Sequence, residues 1–341
     1  MRNWPVLFLV PHVKPFRKRS KLAQWLIVRF GRFLPSNKPR YVKPHKTFSD
    51  QVRLLVSRGL TIPDEASAEA LLTHVNYYRL SAYSRVFYQR TGGEVFVPGT
   101  TFNQIRGLYE FDRSLRGLIS VALEPIEVSI RTAIAYQLGQ KYGAFGHIDR
   151  KNFRDNGKLK HSEWLDQMVK ETARSNEVFI RHFEKTYREF PIIPVWGTVE
   201  IMSFGMLSKM FQMLPVADKQ VLAAPLGIHH DVLGSWLHTI VYVRNMCAHH
   251  ARLWDRDFRV QSAIPKNNPD WKVRPRPKPS RLGAFLFVLN GLNSKSAFPH
   301  FDLVAWRADI ETLIGKSDYG VPGFLDRMGL SAGWMKHPLW K

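Results

Sequence analysis

The chain has 341 residues, 45% of them hydrophobic, and a formal net charge of +22. That length suggests about two domains or one domain with a large appendage, and the charge predicts a polyanionic partner, nucleic acid before anionic lipid. The one cysteine, Cys247, excludes an intrachain disulfide framework and a cysteine-based zinc site, so a reducing cytoplasm is the expected compartment.

Residues 1–44 carry eleven Lys or Arg and no Asp or Glu, half of the charge excess. Their apolar runs, Trp4 to Val10 and Leu22 to Leu34, are too short or too interrupted to span a bilayer, so no transmembrane segment is expected. Leu22, Trp25, Leu26, Phe30 and Phe33 could form a basic amphipathic helix on a membrane surface or on nucleic acid. The plainer reading is a basic extension, disordered or translated from an upstream start, ahead of a helical domain over 45–341.

From Lys46 the pattern is helical. Thr47 or Ser49 caps a helix running to Arg58, and Pro63-Asp64-Glu65 opens a second with the proline at its first position. Tyr77 to Tyr83 gives a third, Glu94 to Val97 a short strand, and Pro98-Gly99 a turn. Phe102 to about Leu138 is the longest periodic stretch and should be the central helix, kinked or split at Pro125. Its charged residues, Glu110, Asp112, Arg113, Arg116, Glu124, Glu127 and Arg131, read mostly as pairs on the helix surface. One or two helices follow within Lys158 to Tyr187, a helix over Val195 to Leu214 with Phe204-Gly205 in its middle, and a short one over Asp218 to Ala224. Val232 to Trp254 is predicted as a single helix. Ile264 to Ser280 holds five prolines and a basic alternation, Lys272, Arg274, Arg276 and Lys278, of an extended loop. Leu282 to Leu292 and Phe301 to Ile314 form a last helical pair. No strand alternation persists, and the predicted class is all-α, a multi-helix bundle.

Chemistry concentrates in Tyr242 to Trp254. On an ideal helix His238, Tyr242, Asn245, His249 and Arg252 fall within about 80° of one another, and Arg244 projects about 140° from His249. An Arg, an amide and a His suit metal-independent RNA cleavage. A neutral His takes the proton of a 2′-hydroxyl, an imidazolium protonates the leaving 5′-oxygen, and Arg stabilises the extra phosphate charge. The off-face Arg244 suggests that a second copy completes the site, or that Arg244 is a partner of Glu124 or Glu127. The alternative is an RNA-binding helical protein that cleaves nothing. His238 and Cys247 read more simply as a solvated helix histidine and a small core residue. His229-His230 and His249-His250 are adjacent pairs that point opposite ways on a helix, and no H-E-x-x-H spacing occurs, so no metal site and no cofactor is expected. Candidate RNA contacts are His238, Tyr242, His250, Arg252, Lys272, Arg274 and Arg276.

Arg244-Asn245-Met246-Cys247-Ala248-His249 resembles the signature of the HEPN superfamily. Around it, the text over roughly residues 46 to 341 resembles the AbiD/AbiF-type abortive infection family. The matching stretches are Asp50-Gln51, Arg58-Gly59-Leu60, Asn76 to Leu80, Leu108 to Arg113, Glu124 to Arg131, Tyr142-Gly143, Ser203-Phe204-Gly205, Ser235-Trp236-Leu237, Arg244 to Trp254 and Pro338-Leu339-Trp340. The resemblance implies an all-α HEPN fold and a bacterial phage-defence toxin that acts as an endoribonuclease. It also implies a homodimer with composite sites, in some cases restrained by a small structured RNA. It makes Arg244 and His249 the catalytic pair and Asn245 their polar neighbour, and residues 1–44 fall outside it.

Overall fold

The structure is a computed structural model that describes residues 41–90, 92–157, 159–296, 299–316 and 319–341. The basic amphipathic helix expected over Leu22 to Phe33 lies outside the described residues. The chain divides into two units, Met1–Thr47 and Phe48–Lys341, and every helix described below belongs to the second.

That unit is all-α. Its helices are α1 (Phe48–Ser57), α2 (Glu65–His74), α3 (Tyr77–Ser84), α4 (Phe102–Tyr142), α5 (His161–Arg174), α6 (Val178–Thr186), α7 (Val195–Ile201), α8 (Phe204–Met213), α9 (Val216–Ala223), α10 (His230–Ala248), α11 (Leu282–Ser296), α12 (Leu303–Gly315) and α13 (Phe324–Arg327). Among the described residues β pairing is limited to three isolated bridges. The expected strand at Glu94 to Val97 is reduced to one of them, Tyr88 opposite Phe96, because Pro98-Gly99 stops the pairing as soon as it starts. Pro63 also sits two positions further out than expected, ahead of the cap rather than at the first helical position. Asp64 is the N-cap of α2, and its carboxylate accepts from the Ser67 N–H at 2.9 Å.

The 41-residue α4 is the axis of the fold. Thr101 and Gln104 close a capping box at its start, each side chain accepting from the other's backbone N–H. Ile105, Leu108, Leu115, Ile119, Ala122, Ile126, Ile134 and Leu138 then supply a buried stripe against α3, α7, α10, α11 and α12. The helix runs through Pro125 as one element rather than splitting. Neighbouring helices support it just before the proline, where Asn293 Nδ2 donates to the Ala122 carbonyl at 3.0 Å and Trp306 Nε1 to that of Leu118 at 2.9 Å. The predicted helix over Val195 to Leu214 is two, because Ser203 is an N-cap whose hydroxyl accepts from the Met206 N–H and restarts the chain as α8.

The largest departure from expectation is at α10. It ends at Ala248, not Trp254. His249 is the C-cap, with φ −91° and ψ 11°, and His250 lies in the left-handed region at φ 53°. Beyond it the chain leaves the helix axis, so Arg252 does not continue the polar stripe of an ideal helix, while His249 keeps its helical bond to the Asn245 carbonyl at 3.0 Å.

Candidate active site

The turn after Ala248 is made by side chains distant in sequence. Asp112, fully buried on α4, accepts at one carboxylate from the backbone N–H of Leu253 at 3.1 Å and of Trp254 at 2.7 Å. The same carboxylate accepts from the Tyr83 hydroxyl at 2.7 Å and from the Arg116 guanidinium one helical turn on. Arg116 in turn donates to the Ala251 carbonyl at 3.4 Å, and Arg79 donates to that of His250. Three charged side chains therefore hold the backbone from His250 to Trp254, which fixes where His249 stands. Burial pushes the Asp112 carboxyl upward, and Arg116 is the largest of the contacts that pull it back. Burial beside that carboxylate also pushes the Tyr83 phenol above its ordinary range. The pair Asp112–Arg116, read from the sequence as a surface pair, is thus a buried ion pair, because α3 and the 249–254 turn cover it.

Arg244 sits on the last turn of α10. Its Nε lies 3.4 Å from Glu127 Oε1, and its side chain remains 48% exposed, so it is open to solvent at that helix end. Burial raises the Glu127 carboxyl, and Arg244 is the largest influence lowering it again. Arg131 stands 4.0 Å from the same carboxylate and donates to the Met202 carbonyl at 2.7 Å, so Glu127 shares two cations. Of the two acids paired with Arg244 in the sequence reading, the structure selects Glu127. Glu124 points to solvent. Asn245 and His249 are exposed, and the His249 N–H donates to the Asn245 carbonyl at 3.0 Å. Arg244, Asn245 and His249 therefore stand within two turns at one exposed helix end.

The other candidates separate. His238 is exposed but lies eleven residues before His249, roughly 16 Å up the helix axis, and lines a different cleft with Asn156, Lys219 and His230. Tyr242 packs edge-on against Phe258 at 5.9 Å, and its buried hydroxyl finds no partner, so its ring serves the core rather than an RNA face. Arg252 is off the helix and partly buried, 3.8 Å from Asp255, and burial lowers its guanidinium from the ordinary value. His250 is exposed, with its carbonyl taken by Arg79. Lys272, Arg274 and Arg276 are exposed on the proline-rich loop as expected. Cys247 is buried with its thiol pushed up to about 11 by burial, in keeping with a core residue.

His229 and His230 do not point opposite ways. His229 is the N-cap of α10 and lies outside the helix, so the two rings tilt together at 4.1 Å. With Asp231 their ligand atoms fall within 4.8 Å of one another. The start of a helix repels a cation, which weakens the trio as a metal centre.

The sequence reading assigns Arg79, Tyr83, Asp112 and Arg116 no part in positioning the site. The signal available was an acid and a base four residues apart inside an otherwise apolar stripe. Among the described residues no helix is long and apolar enough to cross a membrane. No curated protein and no solved structure matches the chain. A family model described as Abi-like protein matches residues 70–255, more than half of the chain. That range holds Arg79, Asp112, Arg116, Glu127 and the whole Arg244–His249 segment, and the chain belongs to this abortive-infection family.

Proposed function

We propose that the protein is a phage-defence toxin of the HEPN type, a metal-independent endoribonuclease that arrests the infected cell. The observation that carries the reading is the exposure of Arg244, Asn245 and His249 together at the end of α10, immediately before a turn that charged side chains hold. Preorganised groups of this kind are what phosphoryl chemistry needs, since charge grows on the phosphate oxygens in the transition state. His249 takes the proton of the 2′-hydroxyl, that oxygen attacks the adjacent phosphorus, and the 5′-oxygen leaves with a proton from a second imidazole. Arg244 neutralises the added charge and Asn245 donates to a phosphate oxygen. The products carry a 2′,3′-cyclic phosphate and a 5′-hydroxyl.

A second imidazole and a second cation come from another copy of the chain. Supporting this, α4 leaves Val121, Val128 and Tyr136 exposed on a face that borders Glu127, with Trp196 of α7 exposed beside Gly139 of the same helix. Solvent-facing apolar residues next to an incomplete site suit a two-fold contact that brings two motifs together.

The test is induced expression with RNA sequencing of cleavage ends, in wild type and in His249→Ala and Arg244→Ala, with purified protein assayed in a metal chelator. Arrest and cyclic-phosphate ends that persist in chelator and vanish in both variants support the reading. Arrest unchanged in both variants overturns it, and RNA binding without new ends identifies an RNA-binding regulator instead.

A further inference from the structure

The basic proline-rich loop has a second feature, a cavity of about 590 Å³ between it and the C-terminal tail. The inner wall is apolar and aromatic, with Phe287, Phe324, Leu330 and Trp334, and the loop side presents Arg276 and Lys278. That volume holds a ring system with a substituent rather than a single small ion.

The cavity is joined to the candidate active site. Phe324, part of its wall, stacks on Trp254 with centroids 5.6 Å apart and planes 24° apart, and the Trp254 N–H is the one that Asp112 holds. Asp255, the next residue, takes Arg327 of α13 at 3.0 Å and Arg281 of the loop at 3.6 Å. The turn that carries His249 and the wall of the cavity are thus parts of one packed unit.

Its charges select the ligand. Lys278 is compensated by Asp326 at 2.9 Å. Lys272, Arg274 and Arg276 are exposed, and none has an acidic partner among the described residues. Arg274, Arg276 and Lys278 alternate with Pro275, Pro277 and Pro279, so three cations follow one another closely along the loop. An apolar, ring-lined hole beside a row of uncompensated cations matches a flat heterocycle attached to a chain of phosphates. It does not match a duplex, whose bases are stacked away from such a hole. A wholly apolar ligand would leave the cations unused.

We propose that this cavity receives one unpaired nucleobase of an RNA strand, with the flanking phosphates on Arg274 and Arg276. The inference rests on the RNA reading above and adds a place where the strand is anchored, on the packed unit that also carries the His249 turn.

The test uses the full chain carrying His249→Ala, so that the RNA survives, and a fluorescein-labelled single-stranded RNA of mixed sequence with its duplex as a control. Ala332→Trp, at an exposed position on the cavity lining, fills the hole without disturbing the core. It is expected to weaken single-strand binding at least tenfold and leave the salt slope of log Kd unchanged. Arg276→Gln is expected to lower that slope by about 0.7, one phosphate contact on a single strand. A 4-thiouridine strand should crosslink to the stretch 323–337, and a duplex should bind no better to the parent than to Ala332→Trp. Wild-type-like affinity in Ala332→Trp, together with crosslinks elsewhere, overturns the cavity assignment while RNA binding stands. A parent chain that binds no RNA at all overturns both the assignment and the RNA reading.

Discussion

Replacing Asp112 with Ala is the most direct probe of the frame behind the motif. The substitution removes a fully buried acceptor and leaves four groups without it: the N–H groups of Leu253 and Trp254, the Tyr83 hydroxyl and the Arg116 guanidinium. Removing one partner of a buried ion pair costs about 3–5 kcal/mol, since the remaining charge stays desolvated. For a domain of this size that corresponds to a fall in Tm of roughly 5–8 °C. Urea unfolding and a thermal melt of wild type, Asp112→Ala, Arg116→Met and the double variant measure the effect. The double variant should lose less than the sum of the singles, because Arg116→Met removes the charge that Asp112→Ala strands. Since the same carboxylate holds the turn after His249, RNA cleavage measured well below the melting temperature should fall in Asp112→Ala with His249 intact. A loss of stability under about 1 kcal/mol, or strict additivity of the two changes, would refute the account of Asp112 as the hub of the turn.

Three further outcomes follow from other parts of the structure. His147 is fully buried, 2.9 Å from His161 Nε2 through its carbonyl, and burial lowers its imidazole from 6.5 to about 4. The unfolded chain then binds a proton between pH 6.5 and pH 4 that the folded chain refuses, so its contribution is complete above 6.5 and is lost as pH falls. The stability difference between wild type and His147→Gln should change by about 2–3 kcal/mol between pH 7.5 and pH 4.5, and a constant difference would contradict the assignment. Arg244→Ala should cost under about 1 kcal/mol of stability, because the side chain is half exposed and Arg131 remains near Glu127, yet reduce cleavage by about 100-fold or more. Gly283→Ala should destabilise by about 1–3 kcal/mol in a melt, because its Cβ would stand 2.9 Å from the Gly329 carbonyl oxygen and 2.7 Å from Leu330.

Much of the frame is legible in the sequence because it is local. The three- and four-residue spacing of Ile105, Leu108, Leu115 and Ile119 specifies α4, and Asp64, Asn76 and Asp302 mark helix starts by the reach of their own side chains, whereas the start at Ser203 is masked by apolar periodicity on both sides of it. The end of α10 is not legible in that way. Ala251, Arg252 and Leu253 are good helix formers with no Gly or Pro among them, so periodicity carries the helix to Trp254. What stops it is Asp112 and Arg79, 142 and 171 residues away, which capture backbone groups that a longer helix would use itself. The burial of Asp112 and Arg116 is hidden for the same reason, since their spacing matches that of any exposed pair until the rest of the chain covers them.

The roughly 140° between Arg244 and His249 on the helix argues for a second copy, and His249, the cap, keeps its N–H on the Asn245 carbonyl and so stays on that helix. Chemistry argues the same way: in an in-line displacement the attacking 2′-oxygen and the leaving 5′-oxygen stand on opposite sides of the phosphorus, so base and acid are best supplied by two groups. Mixing experiments separate the possibilities. Wild type unfolded and refolded with an equal amount of His249→Ala gives, on random pairing, about one quarter wild-type dimers. If both imidazoles of a dimer are needed, activity falls to about a quarter of that of the same total of wild type, and added His249→Ala suppresses growth arrest in cells. If each copy acts alone, activity falls only to about half and arrest persists. A value near half, with dimers present by sedimentation, would place the missing proton donor within the chain and dismiss the composite site.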